Sequence, residues 1–188
     1  MEFPIKSVFL ALPLEGQPKQ LFQELQEKLA PYADILRFQN PHSPHLTLMF
    51  WPEVSELEYK GIAEQAAKIA SRHQAFTIDV IGADTFGSPS YAEASAGRRG
   101  EDRVLYLSVA FSDALARIKK DCPWSDGKPF DPHITLARIR HPQKFAVHKK
   151  KIMKILKGTT FPVPLDRLRL YGEINGVKQT LLEEVSLL

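Results

Sequence analysis

Pro44-His45-Leu46-Thr47-Leu48-Met49-Phe50 and Pro132-His133-Ile134-Thr135-Leu136-Ala137-Arg138-Ile139 are two copies of one pattern, Pro-His-[Leu/Ile]-Thr-Leu. Each reads as a β-strand: aliphatic and β-branched residues follow a proline at the first position, where a missing N–H does least harm. Residues i and i+2 of a strand share a face. His45 and Thr47 therefore point one way, and Leu46, Leu48 and Phe50 the other. The second copy sets His133 and Thr135 against Ile134 and Leu136. One His-x-Thr-Leu could be an accident, with its histidine packed in a core or left on the surface. Two copies in one chain point to a shared role.

The chain around them has 188 residues, enough for one domain or two small lobes sharing a core. Its 44% hydrophobic and 25% charged content is that of a globular protein and argues against disorder. A net charge of +3 permits an anionic ligand without identifying one. A duplex-DNA binder would carry a denser basic stripe. The single cysteine, Cys122, allows no intrachain disulfide and no cysteine zinc cluster, so a reducing, cytoplasmic setting is expected. The opening MEFPIKSVFLALPL lacks a basic flank and a small-residue cleavage site, so no signal peptide is expected. No stretch approaches the ~20 apolar residues of a membrane helix.

Outward from the motifs, Ser7 to Leu12 reads as a buried strand ended by Pro13. Pro18 to Ala30 reads as a helix with Leu21, Phe22, Leu25 and Leu29 on one side. Ile35 to Phe38 is a short strand, and the turn-rich Asn40 to Pro44, with His42, leads into the first motif. A second helix is expected over Glu53 to Arg72, with Leu57, Ile62, Ala66 and Ile69 buried and His73 at its C-terminal end. Phe76 to Phe86 is a strand. Ser88 to Asp102 is small, polar and glycine-containing, and reads as a flexible loop in which Arg98 and Arg99 stand as candidate phosphate contacts. A strand from Val104 to Phe111, a helix from Ser112 to Asp121 and a turn over Pro123 to Pro129 precede the second motif. Phe145 to Lys157 is a basic amphipathic helix with apolar Val147, Ile152, Ile155 and Leu156. Its lysines are expected to form a solvated face, with an RNA-steering patch as the alternative. Three strands follow, 161–163, 165–172 and 179–187, with the turn signal Asn175-Gly176 between the last two.

The motif histidines are 133 − 45 = 88 positions apart, about half the chain. This suggests two pseudo-symmetric lobes meeting at a central cleft, with one His-x-Thr from each. The strand and helix order is not the simple alternation of a doubly wound sheet. The expected class is α+β, bilobal, with largely antiparallel sheets and helices packed outside, the whole of 1–188 forming one domain.

Two imidazoles across a cleft suit opposite proton transfers, because an unperturbed histidine titrates near neutrality. One takes a proton from an attacking water or hydroxyl and the other gives one to a leaving oxygen, as in-line displacement at phosphorus requires. Each threonine hydroxyl can donate to a non-bridging oxygen. Metal ligation is the competing use of two histidines, but neither motif carries a carboxylate on the same face, so no metal or other cofactor is expected. No G-x-S-x-G elbow supports a nucleophilic serine.

Two His-x-Thr-Leu tetrapeptides half a chain apart resemble the 2H (two-histidine) phosphoesterase superfamily. The similarity is to its LigT-like members, the 2′-5′ RNA ligases or RNA 2′,3′-cyclic phosphodiesterases. Val8 to Pro13, Arg103 to Leu107, Pro129 to Arg138 and Leu170 to Glu173 resemble further strands of that group. The resemblance implies metal-free opening of a terminal 2′,3′-cyclic phosphate to a 2′-phosphate, with reversible 2′-5′ joining of RNA ends. His45 and His133 are then the expected catalytic residues, and Thr47 and Thr135 the expected substrate-binding ones. His45 is expected as acid and His133 as base, although the likeness of the two motifs leaves their order open. Arg138 is a further expected substrate contact. Strict alternation puts it on the face opposite His133, so that role needs a twist or bulge. The implied partners are RNA ends bearing 2′,3′-cyclic phosphate, tRNA fragments included, or cyclic nucleotides, bound by a monomer. A non-catalytic RNA- or nucleotide-binding module, or an enzyme of small cyclic nucleotides, is the alternative. Base-stacking candidates are Phe50, Trp51, Phe86 and Tyr171.

Overall fold

In the computed structural model, residues 2–87, 101–124 and 129–188 are described. The expected loop over 88–102, with Arg98 and Arg99, lies outside them except for Glu101 and Asp102. The elements run β1 (Ile5–Pro13), α1 (Gly16–Lys28), a 3-10 turn (Ala30–Tyr32), β2 (Leu36–Phe38), β3 (His45–Val54), α2 (Glu56–Ala70) and β4 (Phe76–Gly87). Then come β5 (Asp102–Val109), α3 (Asp113–Asp121), β6 (His133–Ile139), α4 (Pro142–Ile155), β7 (Phe161–Leu165), β8 (Arg167–Ile174) and β9 (Val177–Ser186).

Among the described residues, nine strands join one sheet in the order β7-β4-β5-β6-β3-β1-β8-β9, with β2 also pairing with β6. Every pairing is antiparallel, as the α+β reading expects. The two motif strands, β3 and β6, are neighbours at its centre, joined by the single register pair Leu46 and Ile134. The sheet thus has two wings, β1-β3-β8-β9 and β2-β4-β5-β6-β7, each ending on a motif strand.

The wings are not the two halves of the sequence. β8 and β9 return from the C-terminal end to complete the wing that β1 began. Helix α1 follows β1 yet lies against β7 in the other wing, while α2 packs on β8 and β9 and α4 on β5. Interleaved strands and a crossing helix tie the wings more firmly than a linker could. Among the described residues no helix is long and apolar enough to cross a membrane.

Local chemistry explains where the element ends differ from expectation. β3 runs on through Pro52 to Val54, and Glu53 takes a left-handed φ of 47°. Helix α2 therefore starts at Glu56, not Glu53. Ser55 caps it: the Glu58 N–H donates to Ser55 Oγ, and Glu58 Oε2 accepts from the Ser55 N–H at 2.8 Å. The Ser-x-x-Glu spacing carried that signal. Leu57, expected in the buried stripe, is 82% exposed, and Tyr59, Ile62, Ala66 and Ile69 do the packing. Helix α4 starts at Pro142, where a proline without N–H is tolerated, and its Val147 is exposed while Phe145 and Ile152 are buried. The Asn175-Gly176 turn forms as expected, with φ of 50° and 77°, the values a type I′ hairpin demands.

Candidate active site

His45 and His133 open their strands, each anchored by the residue two before it. The His45 Nδ1–H donates to the Ser43 carbonyl at 2.7 Å, and the His133 Nδ1–H to the Asp131 carbonyl at 2.8 Å. With Nδ1 so occupied, Nε2 is the lone-pair nitrogen of both neutral rings. Antiparallel pairing about Leu46 and Ile134 sets His45 toward Thr135 and Thr47 toward His133. Each imidazole therefore neighbours the hydroxyl of the other motif.

Aromatic side chains back both rings, in different ways. His45 stacks on Phe9 at 4.8 Å and leans on Tyr171 at 5.5 Å. His133 meets Phe86 at 5.1 Å and Tyr106 at 5.4 Å, both edge-on. His45 is the more enclosed, at 8% exposure. Burial pushes its pKa below the ordinary value; the Ser43 carbonyl opposes this, and the charge of His133 adds to it. The two rings thus lie close enough to feel each other's protonation.

Beyond the threonines each motif strand carries a β-bulge at its leucine. On β3, Thr47 pairs with Ala11 but Met49 with Leu10, leaving Leu48 extra. On β6, Thr135 pairs with Tyr106 but Ala137 with Leu105, leaving Leu136 extra. A bulge inverts the alternation that follows it. Ala137 turns inward at 0% exposure and Arg138 joins the face of His133, which strict alternation denied it. The same inversion corrects the expected direction of Phe50: it is 54% exposed on the motif face, and Met49 is buried in its place. Each bulge carbonyl accepts a bond from a helix. Lys119 Nζ of α3 donates to Leu48 O at 2.6 Å, and Gln26 Nε2 of α1 donates to Leu136 O at 3.1 Å and to Gln39 O at 2.9 Å.

His45, Thr47, His133, Thr135 and Arg138 all line one cleft of about 910 Å³. Phe50 and Phe86 also line it, while Tyr171 is buried behind His45 and Trp51 packs edge-on against Trp124. Sequence reading missed Phe9, Arg37, Lys119 and Gln179 in the wall, and Gln26 and Tyr106 behind it. Only Phe9 and Tyr106 had a signal, their place on strands beside the motifs. The α4 lysines do not line this cleft, and Lys149 pairs with Asp102. His73 bonds Asp121 at 2.9 Å rather than simply ending a helix. Among the described residues no three His, Cys, Asp or Glu side chains gather as a metal-binding set would.

Residues 12–176 match the family model described as the 2′-5′ RNA ligase superfamily. The chain is 29% identical over 185 residues to the RNA 2′,3′-cyclic phosphodiesterase of Thermus thermophilus, covering 96% of this chain and 89% of that protein. It is 26% identical over 139 residues to the Bacillus subtilis protein of the same name, covering 69% of each. The match to the Geobacillus stearothermophilus protein so named, 25% identical, covers 69% of this chain but only 41% of that longer protein. Among solved structures, a Thermus thermophilus protein superposes with TM-score 0.69 at 22% identity, over 96% of this chain and 97% of that one. E. coli LigT complexed with 3′-AMP superposes with TM-score 0.64 at 19% identity, over 97% and 98%. These two likenesses establish a shared fold. With a family match spanning most of its length, the chain belongs to the 2′-5′ RNA ligase superfamily.

Proposed function

We propose that this enzyme is an RNA 2′,3′-cyclic phosphodiesterase that opens a terminal cyclic phosphate to a 2′-phosphate by acid–base catalysis between two histidines. The supporting observation is the pair of imidazole–hydroxyl couples, one per wing, that line one cleft with each Nδ1 fixed on a backbone carbonyl. The names of the curated relatives favour the same chemistry.

Water attacks phosphorus while His133 Nε2 accepts its proton. The P–O3′ bond breaks, and O3′ takes a proton from His45 Nε2, leaving a 2′-phosphate and a 3′-hydroxyl. The more open His133 is given the water-facing role. Enclosed His45, shielded by Phe9 and Tyr171, is given the leaving oxygen. The negative charge of the bound phosphate favours a solvent proton on His45, and the low proton affinity of the buried ring then makes it a strong acid. Thr47 and Thr135 donate to the two non-bridging oxygens, and Arg138 adds a positive charge at the rim. Run in the same direction with an RNA 5′-hydroxyl in place of water, the same transfers join two ends through a 2′-5′ linkage, and run backwards they cleave that linkage to a cyclic phosphate and a 5′-hydroxyl. One chain supplies both motifs, so the proposed working unit is a monomer, in the cytoplasm.

His45→Ala and His133→Ala are each expected to lower kcat on 2′,3′-cyclic AMP by at least ~10²–10⁴-fold, with EDTA leaving the parent protein's rate unchanged. Full turnover in either variant, or tight RNA binding with no product after long incubation, would refute the reading.

A further inference from the structure

The Ser43 carbonyl that takes the His45 Nδ1–H at 2.7 Å belongs to no strand, because Ser43 sits in the connection between β2 and β3. The sheet's grip ends one residue later, where the Leu14 N–H donates to the Pro44 carbonyl at 2.9 Å. Pro41 and Pro44 have no N–H with which to tie the connection down. The Ser43 N–H donates to the Asn40 carbonyl over a long 3.3 Å. The Ser43 hydroxyl makes the firmer bond, donating to Gln179 Oε1 at 2.8 Å from 136 residues away in sequence.

An uncommon backbone places Gln179 there. On the β8–β9 hairpin Ile174 pairs with Val177 and Gly172 with Thr180, so Lys178 and Gln179 together oppose Glu173 in a β-bulge. Gln179 takes a left-handed φ of 59°. Glycine is the default residue in such a bulge, because a Cβ crowds the backbone there. Glutamine therefore occupies a position that costs stability, and it lines the cleft of the two histidines.

We propose that Gln179 is a positioning residue: through the Ser43 hydroxyl it fixes the carbonyl that orients the His45 imidazole. This rests on the cyclic phosphodiesterase reading, in which His45 Nε2 gives up the proton, and adds a residue to it. Phe9 and Tyr171 hold the plane of the ring. A half-turn of an imidazole about its Cβ–Cγ bond keeps that plane but exchanges the sides on which Nδ1 and Nε2 lie. Stacking is blind to the exchange, so the Ser43 carbonyl chooses between the two orientations, and Gln179 keeps that carbonyl in place.

Gln179→Gly removes the acceptor and suits the left-handed backbone. Relief of strain offsets the lost bond, so its Tm is expected within about 3 °C of the parent's. Its kcat on 2′,3′-cyclic AMP is expected to fall roughly tenfold while KM moves by less than about twofold. Gln179→Asn also tolerates that backbone, is one methylene too short to reach Ser43, and should behave alike. Ser43→Ala should show the same kcat loss, and the Ser43→Ala, Gln179→Gly double variant no more than either, since both cut one link. Ser43→Thr keeps the hydroxyl and is expected to hold kcat within about twofold of the parent's. In NMR spectra the His45 Nδ1–H proton, protected by its acceptor in the parent, is expected to broaden by solvent exchange in Gln179→Gly. A rise in KM with kcat unchanged would overturn the proposal by making Gln179 a substrate contact. Parent-like kcat in Gln179→Gly, losses that multiply in the double variant, or an Nδ1–H signal as sharp as the parent's would overturn it outright. A parent protein that turns over no cyclic substrate would instead sink the cyclic phosphodiesterase reading, and the Nδ1–H signal would still decide whether Gln179 holds the ring.

Discussion

Replacing Gln26 by methionine tests how a residue on helix α1 controls a cleft it does not line. Gln26 is 7% exposed, and its amide donates to Gln39 O at 2.9 Å and Leu136 O at 3.1 Å. Methionine keeps the volume and the helix propensity but removes both bonds. Leu136 O retains the Gln39 N–H at 3.0 Å, so it loses one partner of two, a loss of ~0.5–1.5 kcal/mol. Gln39 O is left with no side-chain donor, which costs ~1–3 kcal/mol. Burial of an apolar thioether in place of an amide offsets part of this, leaving about 2–3 kcal/mol. For a chain of this length that lowers Tm by roughly 5–10 °C. The functional effect follows from the bulge. With Leu136 O half released, the β6 alternation loosens where Arg138 is aimed, and kcat/KM falls by about tenfold, since a small misplacement of a binding group is felt strongly. Thermal melts and initial rates at a temperature below both melting points measure the two effects separately. A Gln26→Met protein that melts within ~1 °C of the parent, with unchanged kcat/KM, would show that the bulge holds itself.

Two further outcomes are expected. Because burial lowers the His45 pKa below its ordinary 6.5, the unfolded chain binds the extra proton first as pH falls; stability is therefore full above about 6.5 and declines from there down to the lowered folded value. Melting curves from pH 8 to 5 should show this fall, and His45→Gln should flatten it; a slope that survives the substitution assigns it to other groups. Ser55→Ala removes the α2 capping box, far from the chemistry, and should cost ~0.5–2 kcal/mol of stability in urea melts without altering kcat; a large rate loss would mean that α2 couples to the cleft.

The strands, the two motifs and the antiparallel character were legible because apolar periodicity and the repeated tetrapeptide are local signals. The Asn175-Gly176 turn was legible for the same reason: its two φ angles are demanded by the residues themselves. What escaped was set by partners distant in sequence. The Leu48 and Leu136 bulges depend on registers with β1 and β5 and on donors from Lys119 and Gln26, the latter 110 residues from its acceptor. No period in the chain announces them, and so Phe50 was aimed at the wrong face. The opposition of Arg37 to Arg138 is a pairing fact of the same kind. Leu57 misled by chemistry alone: it is apolar, but it lies on the side of α2 opposite the buried Tyr59, Ile62 and Ala66.

The single Leu46–Ile134 register pair has a mechanical consequence. Each imidazole is anchored within its own wing by a backbone carbonyl, and along the motif strands the wings meet like the jaws of a caliper at one rivet. Phosphorus lengthens its reach along the line of attack as it passes from four neighbours to five, and a pair of jaws locked by a full ladder would resist that stretch. Here the seam between β3 and β6 offers that stretch a single rung, and the load passes instead to helix α1 where it straps one wing to the other.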